Sequence, residues 1–269
     1  MNKLLFIFAI FIAHLSIAQE EICSDQATGH TIQSKYLNEE RDYWVSLPLY
    51  YNDSLSYPVI YVFDAEWRFN LIKNMVFDLG ANEKIQKSIV VGIPHIDWEF
   101  KRGQDLTFSQ SRIEYDGEAV DSTWYNNKNS GHGMKFYHYL TKELMVDVDK
   151  HYATNGFETL IGHSYGGYFG GYILSMDQPF EVIHIYDPSI WFSNGEVIQE
   201  FKNNPTKKKV SIHLTYQPEP KFHKEKIEAF IKELKGNKNI KLTTKFYPDD
   251  THNSLFIDSF YQGILETNR

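Results

Sequence analysis

The sequence feature that most limits the fold is Gly162-His163-Ser164-Tyr165-Gly166-Gly167, set between a short apolar run at residues 159–161 and a helical pattern at 165–176. A G-x-S-x-G pattern in that setting lets a strand turn sharply into a helix, because a side chain at either glycine would meet the neighbouring strand or helix. Gly167, Gly170 and Gly171 thin the same helix, so it can lie close against a sheet. The turn presents the Ser164 hydroxyl at the end of its strand, where a base can reach it.

The remaining pattern supplies a sheet to carry that turn. Nearly continuous apolar runs at 58–63, 88–93, 159–162, 182–186, 210–216 and 240–247 have the character of strands buried on both faces. Helical spacing fills the intervals at 135–152, 165–176, 224–235 and 254–265. Residues 31–37 and 42–47 alternate as an opening antiparallel pair, and Tyr50 to Ser54 forms a turn-rich connection. This predicts an α/β protein with a mostly parallel central sheet and helices on both faces.

No linker or charge block divides residues 28–269, which therefore read as one domain, with 42% hydrophobic residues to build a core. Nineteen Phe, 18 Tyr and 5 Trp are scattered without a period, which excludes a repeat array. The balance of 27 basic against 35 acidic residues gives −8 and argues against a nucleic-acid partner or an anionic lipid surface. One stretch stands apart: residues 94–133 carry His95, Asp97, Trp98, Arg102, Asp105 and Trp124 with little periodicity, a long loop placed where such folds put their ligand crevice.

The first eighteen residues read as a cleaved secretory signal. Lys3 supplies the positive end, Leu4 to Leu15 the apolar run and Ser16-Ile17-Ala18 the small residues of a cleavage site. The run falls short of the roughly twenty residues a membrane span needs. Its removal takes away one lysine and no acid, leaves a flexible leader at 19–27, and predicts a secreted or periplasmic protein with no integral span. Cys23 is the single cysteine, so no internal disulfide forms.

In strand-turn-helix context Ser164 is the candidate nucleophile. Chain order in this arrangement runs serine, acid, histidine, and His252, after the last strand, is the candidate base. His163 packs beside the serine, and His184 and His213 lie within strands. For the acid, Glu219 after the 210–216 strand is favoured by position, and Asp187, directly after the 182–186 strand, is its rival. Asp249 and Asp250 lie too near His252 in sequence to orient it, and are read as capping the turn.

The chain resembles the esterase D-like branch of the α/β-hydrolases, which includes ferric-siderophore trilactone esterases, feruloyl and acetyl-xylan esterases, S-formylglutathione hydrolase and the mycolyltransferases. The blocks that carry the resemblance run in order over residues 40–262: Arg41-Asp-Tyr-Trp-Val-Ser-Leu-Pro48, Tyr57-Pro-Val-Ile-Tyr-Val-Phe-Asp64, Val91-Gly-Ile93, Arg102-Gly-Gln-Asp-Leu-Thr107, Ile161-Gly-His-Ser-Tyr-Gly-Gly167, Asp187-Pro-Ser-Ile-Trp-Phe192 and His252-Asn-Ser254. The resemblance implies an α/β-hydrolase fold and a serine carboxylic-ester hydrolase working through an acyl-enzyme, with Ser164, His252 and Glu219 as its triad and no cofactor or metal. It also implies an oxyanion hole from the backbone N–H of Tyr165 and Glu66, and substrate contacts from Asp64, Trp67, Arg68, Arg102, Asp105 and Trp191. The implied partner is a small, siderophore-like or carbohydrate-linked ester. The alternatives are a polysaccharide acetyl or feruloyl esterase and an inactive binding protein of the same fold. Two departures stand out: Asp64-Ala65 replaces the usual Asp-Gly, and Asp187-Pro188-Ser189 replaces Ser-Pro-Ser.

Overall fold

The computed structural model describes residues 27–97 and 100–268. The expected signal segment, Cys23 and Trp98 lie outside them, and of the expected leader only Ala27 lies inside, where it opens the first strand. Among the described residues eight strands form one sheet: β1 (Ala27–Ser34), β2 (Glu39–Ser46), β3 (Tyr57–Phe63), β4 (Ile89–Ile93), β5 (Thr154–His163), β6 (Val182–Tyr186), β7 (Val210–Tyr216) and β8 (Ile240–Phe246). Their order is β1-β2-β4-β3-β5-β6-β7-β8. β1 and β2 are antiparallel to their neighbours, with Thr31 opposite Asp42 and Val45 opposite Val91; the other pairs are parallel.

Every residue of β3, β4 and β6 is buried, which is why these segments read as unbroken apolar runs. Alternate side chains serve different cores. Ile60, Val62 and Val90 face a layer built on helices α1 (Ala65–Ala81) and α8 (Phe256–Thr267), where Phe69, Ile72, Val76, Phe256 and Phe260 meet them. Val59, Tyr61, Phe63 and Val91 face the opposite core with Phe136, Leu144, Phe169 and Phe230. Those residues come from α3 (Gly133–Tyr139), which continues through a wide turn at Leu140–Leu144 into α4 (Met145–His151), and from α5 (Tyr165–Tyr172) and α7 (Lys221–Lys235).

Three helices lie where the sequence pattern shows none. α1 buries Ala65, Phe69, Ile72, Val76 and Leu79 at helical spacing, but Trp67, Leu71 and Met75 between them blur the contrast between its faces. α6 (Glu196–Asn203) is a two-turn helix anchored by Val197 and Phe201. α2 (Lys101–Leu106) orders the start of the long 94–133 segment, and a bridge between Ile113 and Ala119 orders its middle.

The elbow depends on one contact distance. A β-carbon at Gly162 would collide with the Gly166 carbonyl, a backbone atom that cannot swing aside, whereas one at Gly29 would meet only Trp44 Cδ1 at 3.9 Å. Gly162→Ala is therefore expected to cost about 1–3 kcal/mol as overpacking does, read as a lower urea midpoint. Gly29→Ala is expected to stay within about 0.5 kcal/mol of the parent.

Candidate active site

Three adjacent strands end in residues with left-handed backbone: Asp64 after β3 (φ 56°), Ser164 after β5 (φ 59°) and Asp187 after β6 (φ 36°). Such a conformation costs a non-glycine residue of the order of 1–3 kcal/mol and persists only where surrounding bonds dictate it. At Ser164 they do. Its N–H donates to the Tyr186 carbonyl (3.0 Å), and its own carbonyl accepts from Ser189 N–H (3.0 Å) and Tyr168 N–H (2.9 Å). The hydroxyl is held at the mouth of the sheet, 3.4 Å from Ser189 Oγ.

His252 sits between β8 and α8, and its Nδ1 bonds Asp187 Oδ2 at 2.6 Å, leaving Nε2 as the nitrogen able to take a proton. The structure brings Asp187, the rival of the expected Glu219, to His252. The left-handed turn at Asp187 directs its carboxylate to the imidazole. Glu219 lies three residues beyond the end of β7, with its N–H and C=O both bonded to the Gln217 side chain and its carboxylate on an exposed residue. Asp187 itself is wholly buried and receives further donors: Gln217 N–H (3.3 Å) and His223 Nε2 (3.0 Å) on Oδ1, and Gln217 Nε2 (3.1 Å) on Oδ2. Burial alone would raise its pKa, but the hydrogen bonds from His223 and His252 hold the carboxyl well below the ordinary carboxylate range.

His163 does more than pack beside the serine. Its Nε2–H donates to the His252 carbonyl at 2.6 Å, and the two rings lie 4.4 Å apart. Burial first, and the neighbouring His252 second, push its pKa down to about 3, so the ring is neutral at any pH near 7.

Two helix N-termini converge on the serine. Tyr165 opens α5, whose ladder begins at the Tyr168 N–H, and Glu66 lies in the first turn of α1, where the Trp67 and Arg68 N–H groups donate to Asp64 C=O at 3.0 Å each. First-turn amides have no intrahelical acceptor and sit at the positive end of the helix dipole. Ala65 opens α1 without strain, because the left-handed residue of this loop is Asp64.

Two cavities flank Ser164. One of about 320 Å³ is walled by Asp64, Trp67, Arg68 and Arg102, the other of about 370 Å³ by Tyr115, Trp191, Glu219 and His223, and both include Ser164, Tyr165 and His252. Trp67, 55% exposed, stands at the rim, and the Arg68 guanidinium lies 4.0 Å over the Phe256 ring. Arg102 and Asp64 line the first cavity but hold each other, Nε to Oδ1 at 2.5 Å and Nη2 to Oδ2 at 2.9 Å, and Arg102 Nη2 also reaches the His163 carbonyl at 3.3 Å. Burial alone would raise the Asp64 pKa, but the Arg102 charge keeps its carboxyl well below the ordinary range.

Asp105, expected at the substrate, packs inside the protein. It is 1% exposed, outside both cavities, and accepts from Arg41 Nη2 at 2.6 Å because α2 turns it inward onto β2. His95, buried between Asp64 (3.5 Å) and Asp105 (3.7 Å), completes the line Arg41–Asp105–His95–Asp64–Arg102. Neither Arg41, Gln217 nor His223 was singled out by the sequence; each acts through a contact more than twenty residues away along the chain. Donor atoms of Asp187, His223 and His252 lie within 4.8 Å of one another, a spread a metal ion could use, yet each imidazole here is hydrogen-bonded to the carboxylate.

The family described as "Putative esterase" matches residues 34–256. No curated protein sequence matches the chain. Among solved structures, an IroE-like serine hydrolase from Shewanella oneidensis is 26% identical, with a TM-score of 0.79 over 89% of this chain and 79% of that one. The siderophore hydrolase EstA from Aspergillus nidulans is 18% identical, with a TM-score of 0.75 over 92% and 95%. The enterobactin esterase FES from Shigella flexneri is 16% identical, with a TM-score of 0.71 over 90% of this chain and 58% of its own. The last two likenesses show the fold.

His163 also sets a pH dependence. Its folded pKa lies below the ordinary 6.5, so its contribution is whole above that value and declines as pH falls toward 3. His163→Gln keeps a donor for the His252 carbonyl but cannot titrate. In urea titrations between pH 6.5 and 4 its stability is expected to fall less steeply than the parent's, by about 1.4 kcal/mol per pH unit.

Proposed function

This chain belongs to the esterase family matched over residues 34–256 and is an ester hydrolase of α/β fold, and from that premise we propose that Ser164, His252 and Asp187 form its catalytic triad. The observation that carries the reading is the 2.6 Å bond from His252 Nδ1 to the buried Asp187 carboxylate, beside a serine held on a strained strand end. His252 Nε2 takes the Ser164 proton as Oγ attacks the ester carbonyl, then delivers it to the departing alcohol. The Tyr165 and Glu66 amides hold the oxyanion; losing one such donor typically costs about 10² to 10³ in turnover. Water, activated by the same imidazole, releases the acid.

Support for a siderophore-like ester comes from the neighbours, two of which are by name a siderophore hydrolase and an enterobactin esterase. Arg102 is neutralised by Asp64, so Arg68 carries the cationic character of the first cavity wall. The indole of Trp191 in the second cavity offers a flat face to an aromatic or sugar-like group, which keeps feruloyl and acetyl polysaccharide esters as the second reading. The amino-terminal signal pattern supports secretion or a periplasmic site, and no described helix is long and apolar enough to cross a membrane.

The protein lacking residues 1–18 is expected to hydrolyse p-nitrophenyl acetate and to take a fluorophosphonate label on Ser164. Ser164→Ala loses both; an active Ser164→Ala removes the mechanism and favours the binding-protein alternative. Asp187→Asn is expected to lower kcat by about 10³- to 10⁴-fold, and Glu219→Gln far less. The reverse ranking returns the acid to Glu219. Rates on ferric-siderophore trilactones, acetylated xylan and methyl ferulate then rank the substrate classes.

A further inference from the structure

We infer that His223 is a positioning residue for the reaction: together with His252 it grips the two oxygens of one buried carboxylate and keeps Asp187 turned toward the catalytic imidazole. The inference rests on the ester-hydrolase reading of Ser164, His252 and Asp187.

The geometry is a clamp. His252 Nδ1 bonds Asp187 Oδ2 at 2.6 Å and His223 Nε2 bonds Oδ1 at 3.0 Å, with the two rings nearly perpendicular at 79°. A carboxylate only accepts, so His223 presents an Nε2–H to it. Its Nδ1 is buried with no hydrogen-bond partner, and among the described residues Asp187 supplies the one side-chain hydrogen bond of this 3%-exposed ring. The other donor to Oδ1, Gln217 N–H, is long at 3.3 Å and belongs to the strand end. Without His223 that oxygen is buried with only this long bond, and the firmer donors, His252 Nδ1 and Gln217 Nε2, hold the carboxylate by Oδ2 alone.

Loss of the clamp has two signatures beyond stability. Misorientation of the imidazole is felt in the transition state, so kcat falls while KM holds. A carboxylate with fewer donors binds a proton on His252 more firmly, so the ascending limb of the pH profile moves upward. The groups facing His252 in that titration are Asp187 from β6, His163 from the elbow, His223 from α7, Arg68 from α1 and the Glu219 carboxylate in the shared cavity.

The test compares His223→Leu, His223→Gln and His223→Asn with the parent and Ser164→Ala on p-nitrophenyl acetate. His223→Leu is expected to lose about 10- to 100-fold in kcat, the worth of a hydrogen bond to a charged group, with KM unchanged and the limb shifted up. His223→Gln, whose amide nitrogen reaches where Nε2 lies, restores most of the rate; His223→Asn, one methylene shorter, does not. Parent kcat in a folded His223→Leu, or equal rates for the Gln and Asn variants, overturns the inference while leaving an inactive Ser164→Ala to uphold the reading beneath it. If His223→Leu does not fold, the Gln and Asn pair decides alone.

Discussion

The ion pair between Arg102 and Asp64 is the interaction on which the site depends. Its two bonds join α2, near the start of the long 94–133 segment, to the loop after β3, and the same guanidinium reaches the His163 carbonyl in the elbow. Three segments far apart in sequence thus share one charged group. Asp64 is 3% exposed, so the pair is largely desolvated, and breaking such a pair by removing one partner typically costs about 3–5 kcal/mol because the other charge stays buried. Charges continue inward through His95 and Asp105 to Arg41, each beside one of opposite sign when His95 is protonated. Burial opposes charge on His95, while Asp105 and Asp64 raise its pKa above the ordinary value. The line runs from the cavity wall to β2, and so ties the oxyanion loop to the sheet.

The sheet itself does little chemistry and much placement. β3, β5 and β6 lie side by side and parallel, and each stops where a left-handed residue turns the chain. Parallel strands aim all three turns at the same edge, so the amide of Glu66, the hydroxyl of Ser164 and the carboxylate of Asp187 need no flexible approach to one another. The helices α1 and α5 then bring only their first turns to the site.

The elbow and the buried strands β3, β4 and β6 were legible because their demands are local: glycine beside a sharp turn, and unbroken apolar runs for strands covered on both sides; the 240–247 run departs from that expectation, since β8 lies at the sheet edge with none of its residues buried. The place of His252, after the last strand and in the same cavities as Ser164, was legible from order along the chain. α1 was not, since Leu71 and Met75, partly buried against the core, and the exposed Trp67 add apolar residues outside the buried stripe and leave little contrast to read. The choice between Asp187 and Glu219 could not be made from position, because it turns on one φ angle at the end of β6 and on contacts with His223 and Gln217, 36 and 30 residues away. Asp105 was ambiguous for a related reason: its place in the Arg102-Gly-Gln-Asp-Leu-Thr107 block fits a buried partner for Arg41 as well as it fits a substrate contact.

His163 is held at both ends of its own residue. Its carbonyl receives Arg102 and its ring donates to the backbone of His252, while the nucleophile follows it directly in the chain. The loop after β3, Ser164 and His252 are consequently referenced to a single fixed point rather than to one another through separate loops. A disturbance that shifts one of them carries the others with it, so their mutual spacing is insensitive to small breathing of the outer segments. On heating, such a site would not drift gradually out of alignment; it would keep its geometry until the anchor lets go, and activity and elbow structure would vanish in the same transition.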